Sequence, residues 1–139
     1  MAYSIYLNIP NYVGDSKSSR YLGWFEVYFY SWGMGAGTVE PFSVSITSGQ
    51  SAPRLMLASA IRNSVGNVQI VVFDSLNNKE LHNFTLKNAK IIDFRQSKGS
   101  GDAGNPTTDM EFIFSRVFYK TQTQNGAGQW TSQTYDYLV

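Results

Sequence analysis

At 139 residues the chain has the length of one domain, and its 42% hydrophobic content is enough for one core. Eleven Lys and Arg nearly balance ten Asp and Glu, for a net charge of +1, so the chain lacks the clustered basic surface that nucleic-acid binding requires. Cysteine is absent, which excludes disulfides, thiolate metal sites and cysteine nucleophiles, and no apolar run reaches the ~18 residues of a membrane-spanning helix.

The first predicted element is a strand in which Tyr3, Ile5, Leu7 and Ile9 share one face, ended by Pro10. This N-terminus alternates and carries no charged segment ahead of an apolar one, so it is not expected to be a cleaved signal peptide. A polar loop spans Asn11 to Ser19, with Gly14-Asp15 as its turn signal. The next strand, Leu22 to Trp32, is strongly aromatic. Phe25, Val27 and Phe29 alternate on one side as core, while Trp24, Tyr28, Tyr30 and Trp32 alternate on the other with Glu26 among them. That second face suits another packed layer, a partner subunit or a ligand. Gly33, Gly35 and Gly37 then predict a short flexible connection before the half-buried strand of Phe42, Val44 and Ile46.

The period changes once. Ser51 is a candidate helix cap, Pro53 suits a first turn, and Leu55, Ala58 and Ile61 make an apolar stripe, predicting a helix from about Pro53 to Asn63 with Gly66 just beyond its end. Val68 to Phe73 reads as a strand and Asn77-Asn78 as a turn. In Leu81 to Phe94 the pairs Phe84/Leu86 and Ala89/Ile91 are out of phase, which predicts a bulge near Lys87-Asn88. Ser97 to Pro106 is a Ser/Gly surface loop, Met110 to about Tyr119 a strand, Asn125-Gly126 a turn and Gln129 to Leu138 a last strand. Many short strands and one helix define a mainly β fold, a small barrel or sandwich, in a single domain over 1–139.

No catalytic constellation accompanies these elements. His82 is the single histidine, there is no Gly-x-Ser-x-Gly elbow, and Gly99-Ser100-Gly101 lacks the Lys-Ser/Thr ending and the helix of a phosphate loop. Glu26, Glu40, Asp74, Asp93, Asp109 and Glu111 are scattered acids, read as solvated faces rather than a hydrolase pair. The chain is therefore read as no enzyme, with no metal and no cofactor. As a ligand surface, Trp24, Tyr28, Tyr30 and Trp32 could stack sugar rings, which makes a monomeric glycan-binding β-sandwich the alternative reading.

Several short motifs occur in one order: Gly14-Asp15-Ser16, Ser31-Trp32-Gly33-Met34, Gly37-Thr38-Val39, Ser51-Ala52-Pro53-Arg54-Leu55, Leu55-Met56-Leu57-Ala58-Ser59, Phe84-Thr85-Leu86-Lys87-Asn88 and Met110-Glu111-Phe112-Ile113-Phe114. Together they resemble the hemolysin-coregulated protein (Hcp) family, the inner-tube proteins of type VI secretion systems, over nearly the whole chain. The resemblance implies a β-barrel of two sheets flanked by one helix, on the plan of phage tail-tube proteins. It also implies a homo-hexameric ring that stacks with other rings into a hollow tube, is exported with a spike protein without a cleaved signal peptide, and carries small effectors in its lumen. Thr38 stands where the family usually has lysine, Gly49 where it has aspartate and Arg62 where it has glycine. Only Met34 to Gly37 remains of a longer loop that contacts the neighbouring ring. Ring closure joins different patches head to tail. Tyr28, Tyr30, Trp32 and Met34 are the candidate subunit-interface residues, with Tyr28, Tyr30 and Trp32 either at the boundary or in the packing just beneath it, and Trp32→Ala is expected to disrupt rings more than it unfolds the monomer.

Overall fold

The computed structural model describes residues 3–47, 49–98 and 106–139. Among them the elements follow as β1 (Tyr3–Asn8), β2 (Phe25–Ser31), β3 (Met34–Gly35), β4 (Thr38–Val39), β5 (Phe42–Thr47), α1 (Ala52–Ile61), β6 (Ser64–Asp74), β7 (Lys79–Ser97), β8 (Thr107–Ile113), β9 (Arg116–Gln124) and β10 (Trp130–Leu138). The long strand β7 organises them. β6 pairs along one edge of β7, from Asp74–Lys79 to Ser64–Lys90. The other edge is divided: β9 takes His82 to Lys87, and β8 takes Lys90 to Ser97. The order β7-β6-β1-β2-β5-β8 returns to β7 and closes a six-stranded antiparallel barrel, while β9 and β10 continue the sheet past the closure. This is the expected mainly β barrel with one short helix.

Alternating apolar positions fill the interior, with Leu7, Ile9, Phe42, Ile70, Leu86, Ile91 and Phe112 fully buried. The bulge at Lys87-Asn88 is present: Val68 opposes Leu86 and Gly66 opposes Ala89, so Lys87 and Asn88 face one residue of β6, and Asn88 has φ 51°. That extra residue is why Phe84, Leu86, Ala89 and Ile91 are all buried despite their phase difference.

Four expectations are corrected. Met110 to Tyr119 is not one strand. The chain leaves β8 at Phe114-Ser115 and changes partners from one half of β7 to the other, with the Ser115 N–H donating to Lys87 O at 2.9 Å. Residues 33–37 are not merely a flexible connection, because Ala36 and Gly37 (φ 51° and 80°) form the two-residue turn of the β3–β4 hairpin. The helix is Ala52–Ile61, and Ser51 precedes it without capping it by its side chain. The Ser51 hydroxyl instead donates to Val13 O at 2.7 Å and accepts from Val13 N at 3.2 Å, tying down the polar loop. The left-handed residue that ends the helix is Arg62 (φ 55°), whereas Gly66 belongs to the bulge of β6. The predicted loop from Ser97 to Pro106 falls largely outside the described residues.

The loop before β2 lies flat on the barrel exterior. Gly14 is required there, since a Cβ would come within 2.4 Å of the Trp24 backbone. The loop carries Tyr21, which stacks on Tyr6 of β1 at 4.4 Å and forms a second small apolar cluster with Val71, Trp24 and Phe73.

Candidate assembly surfaces

The aromatic strand is reorganised by one inserted residue. Val27 of β2 opposes Ile46, but Phe29 opposes Ser45, so Tyr28 is a bulge residue. A one-residue slip exchanges the two faces of a strand. Phe25 and Val27 point into the core as expected, yet Phe29 is 59% exposed, and Tyr30 and Trp32 turn inward. Trp32 stacks on Phe42 at 6.0 Å and meets Phe84 and Tyr119 edge-on at 5.6 and 6.3 Å, and Tyr30 stacks on Phe42 at 5.6 Å. Burial raises the phenol pKa values of Tyr30 and Tyr119. Tyr28 remains 61% exposed, with its hydroxyl 2.5 Å from Thr47 Oγ1, and Met34 is 45% exposed on the β3 hairpin. The four candidate interface residues thus divide into an outer pair, Tyr28 and Met34, and an inner pair, Tyr30 and Trp32. Trp24 packs instead on the Tyr6–Tyr21 cluster. The continuous ring-stacking platform that a glycan would need is not formed.

His82 continues the inner aromatic group. Its Nδ1 lies 2.7 Å from the Tyr119 hydroxyl, its ring stacks beside Phe84 and Tyr119, and burial lowers its pKa below the usual 6.5. Of the scattered acids, Asp93, Asp109 and Glu111 share the outer face of β7 and β8; Asp93 pairs with Arg95 at 3.2 Å, and Asp109 accepts from Ser45 Oγ at 2.5 Å. Glu26, Glu40 and Asp74 lie elsewhere, on β2, after β4 and at the end of β6. Among the described residues, no group of three or more His, Asp or Glu could hold a metal ion.

Two surfaces escaped the sequence reading. The β9–β10 hairpin extends beyond the closed barrel, leaving Tyr135 and Leu138 71% and 65% exposed. On α1, Met56, Leu57 and Ile61 are exposed while Leu55 and Ala58 face the barrel. The signal for the second was available: the helix has no charged residue between Arg54 and Arg62.

The family model described as type VI secretion system effector, Hcp, matches residues 6–120. The chain belongs to the Hcp family. Solved Hcp structures share its fold over almost their whole length. Hcp1 from Salmonella typhimurium superposes with a TM-score of 0.85 at 19% identity, covering 99% of this chain and 95% of that one. A type VI secretion system effector from Yersinia pestis gives 0.81 at 16% identity, covering 96% and 99%. The secreted protein Hcp3 from Pseudomonas aeruginosa gives 0.66 at 13%, covering 96% and 97%. No curated protein matches the chain. Hcp proteins are structural, non-enzymatic components of type VI secretion, and this chain is an Hcp tube/effector protein of that system.

Proposed function

We propose that this Hcp protein forms six-membered rings that stack into a hollow tube, leave the cytoplasm through the type VI apparatus with a spike protein, and carry small effectors in the lumen. The family match supports this reading, and the observation on this chain that carries it is the apolar exterior. Tyr28, Phe29 and Met34 stand in water on a barrel whose interior is already filled. Tyr28 and Met34 form part of the subunit boundary, and Tyr30 and Trp32 support it from beneath by packing on Phe42 and Phe84. The β3–β4 hairpin projects only a two-residue turn, so contact between stacked rings is small and tubes are shorter or more salt-sensitive than rings.

Sedimentation with negative-stain imaging tests the reading. Particles of hexamer mass with a central hole are expected, and Tyr28→Ala combined with Met34→Ala weakens them. A protein that stays monomeric across the micromolar range refutes it.

A further inference from the structure

Two inward rows run from the barrel onto the hairpin. Ile70, Phe84, Tyr119 and Tyr135 are successive register partners, and so are Val68, Leu86, Val117 and Tyr137. Register partners point to the same side of a sheet. Along the first row exposure runs from 0% at Ile70 and 2% at Phe84 to 71% at Tyr135; along the second it runs from 0% at Val68 and Leu86 to 39% at Tyr137. The core is therefore cut open at β10. The second layer ends at β8, which closes on the other half of β7, and among the described residues no strand but β9 pairs with β10.

The backbone of β10 is open as well. Asn125 N–H donates to Gln129 O and Val139 N–H to Ser115 O, which places the bonded pairs at the odd-numbered residues of β10. The N–H and C=O groups of the even-numbered residues, Trp130 to Leu138, point away from β9. This edge has no proline and no bulge, and its one charge, Asp136, is held on the outer face by Arg116 at 3.2 Å. Edges that stay in water usually carry such protection.

The helix offers a matching surface. Met56, Leu57 and Ile61 are 55, 57 and 54% exposed, and Arg54, the one charged residue of α1, is drawn aside onto the Tyr12 ring at 4.6 Å and Asn11 O at 2.9 Å. α1 packs against β7 and leads directly into β6, the strand on the edge of β7 away from β9. Hairpin and helix are thus two separate patches, the hairpin carried on the β9 edge of β7 and the helix packed on β7 itself. The hairpin's inward residues, Tyr135, Tyr137 and Gln133, are uncharged, as are the outward residues of α1 from Met56 to Ile61, so contact through them strips no ion of water.

From this geometry we infer that the inner face of the β9–β10 hairpin receives the α1 helix of a second copy of this chain, a head-to-tail contact that rests on the ring reading above. Two different patches that meet head to tail are what a closing ring uses, whereas one patch meeting itself gives only a dimer.

The cysteine-free chain makes the test direct. Tyr135→Cys and Leu57→Cys are introduced singly and together, at exposed sites, with circular dichroism as the check on folding. Under mild oxidation the doubly substituted protein should give a cross-linked ladder up to the mass of the closed ring. The two single variants mixed should give one heterodimer, and neither alone should cross-link. Homodimers of Tyr135→Cys alone, or no cross-link in a protein that sediments as a ring, would overturn the inferred contact while leaving the ring reading in place. A wild type that never assembles refutes the ring reading itself.

Discussion

Replacing Trp32 by alanine tests where the aromatic strand does its work. Trp32 packs face-on against Phe42 and edge-on against Phe84 and Tyr119, and it is only partly exposed. An aromatic side chain buries ~150–250 Å², so about 130 Å² is a fair figure for a ring left partly in water. At ~25 cal/mol per Å² this gives about 3 kcal/mol, and the loss of edge-on contacts adds ~0.5–1 kcal/mol. The expected destabilisation of about 3–4 kcal/mol is a large share of the ~5–15 kcal/mol that holds a domain together. Tyr28→Ala, at a residue 61% exposed, removes mainly one hydrogen bond to Thr47, worth ~0.5–1.5 kcal/mol. Urea unfolding followed by circular dichroism at several protein concentrations separates the two roles, because only the assembly contribution depends on concentration. The concentration-independent loss should be at least twice as large for Trp32→Ala as for Tyr28→Ala, and Tyr28→Ala should lower the concentration-dependent part. This reverses the emphasis of the sequence-based expectation for Trp32. If Trp32→Ala unfolds within ~1 kcal/mol of wild type yet no longer assembles, the ring belongs at the boundary and the packing argument fails.

Three further outcomes are expected. Arg62→Gly should raise stability by ~0.5–1 kcal/mol, because Arg62 holds φ 55° where a side chain is strained and glycine is not; a lower melting temperature would show that the arginine side chain makes up for its backbone. Thr108→Val should raise the urea midpoint by an amount worth ~1 kcal/mol, since the fully buried Thr108 Oγ1 has no hydrogen-bond partner among the described residues, and a drop would mean that the hydroxyl is satisfied. Burial lowers the pKa of His82, so as the pH falls the unfolded chain takes up the proton first. Stability should be level above the unfolded value of 6.5 and fall as the pH drops below it towards the folded pKa, and His82→Gln should flatten that slope. As the only histidine, His82 gives a single NMR titration, and a midpoint at or above 6.5 would contradict the burial argument.

The parts of the fold that were legible are those where one face is apolar and the other polar. Phe42, Val44 and Ile46 alternate with Ser43, Ser45 and Thr47, and the register of β5 follows from that contrast. The bulge in β7 was legible for the same reason, as two apolar pairs out of phase. The bulge at Tyr28 was hidden because Tyr28, Phe29, Tyr30 and Trp32 are aromatic on both faces, so a slip by one residue leaves the pattern unchanged. The fate of the Ser51 hydroxyl was also hidden, since it is decided by Val13, 38 residues away. Of the proposed interface residues, the alternation could name Tyr28 and Tyr30 but could not say which faces outward.

The break between β8 and β9 did carry a signal. Met110, Phe112 and Phe114 are even-numbered, whereas Val117 and Tyr119 are odd-numbered, the same kind of phase shift as in β7, and all of them point inward. The two shifts meet in space, where Ser115 N–H and Oγ both bond Lys87 O, at 2.9 and 3.2 Å, beside the bulge at Asn88. They are one structural event, the corner at which β7 exchanges β9 for β8. Because the barrel closes through β8 at that corner, β10 is left to pair with β9 alone, and Tyr135 and Tyr137 stand 71% and 39% exposed. The surface that another subunit would cover is thus a direct consequence of two phase shifts written 28 residues apart.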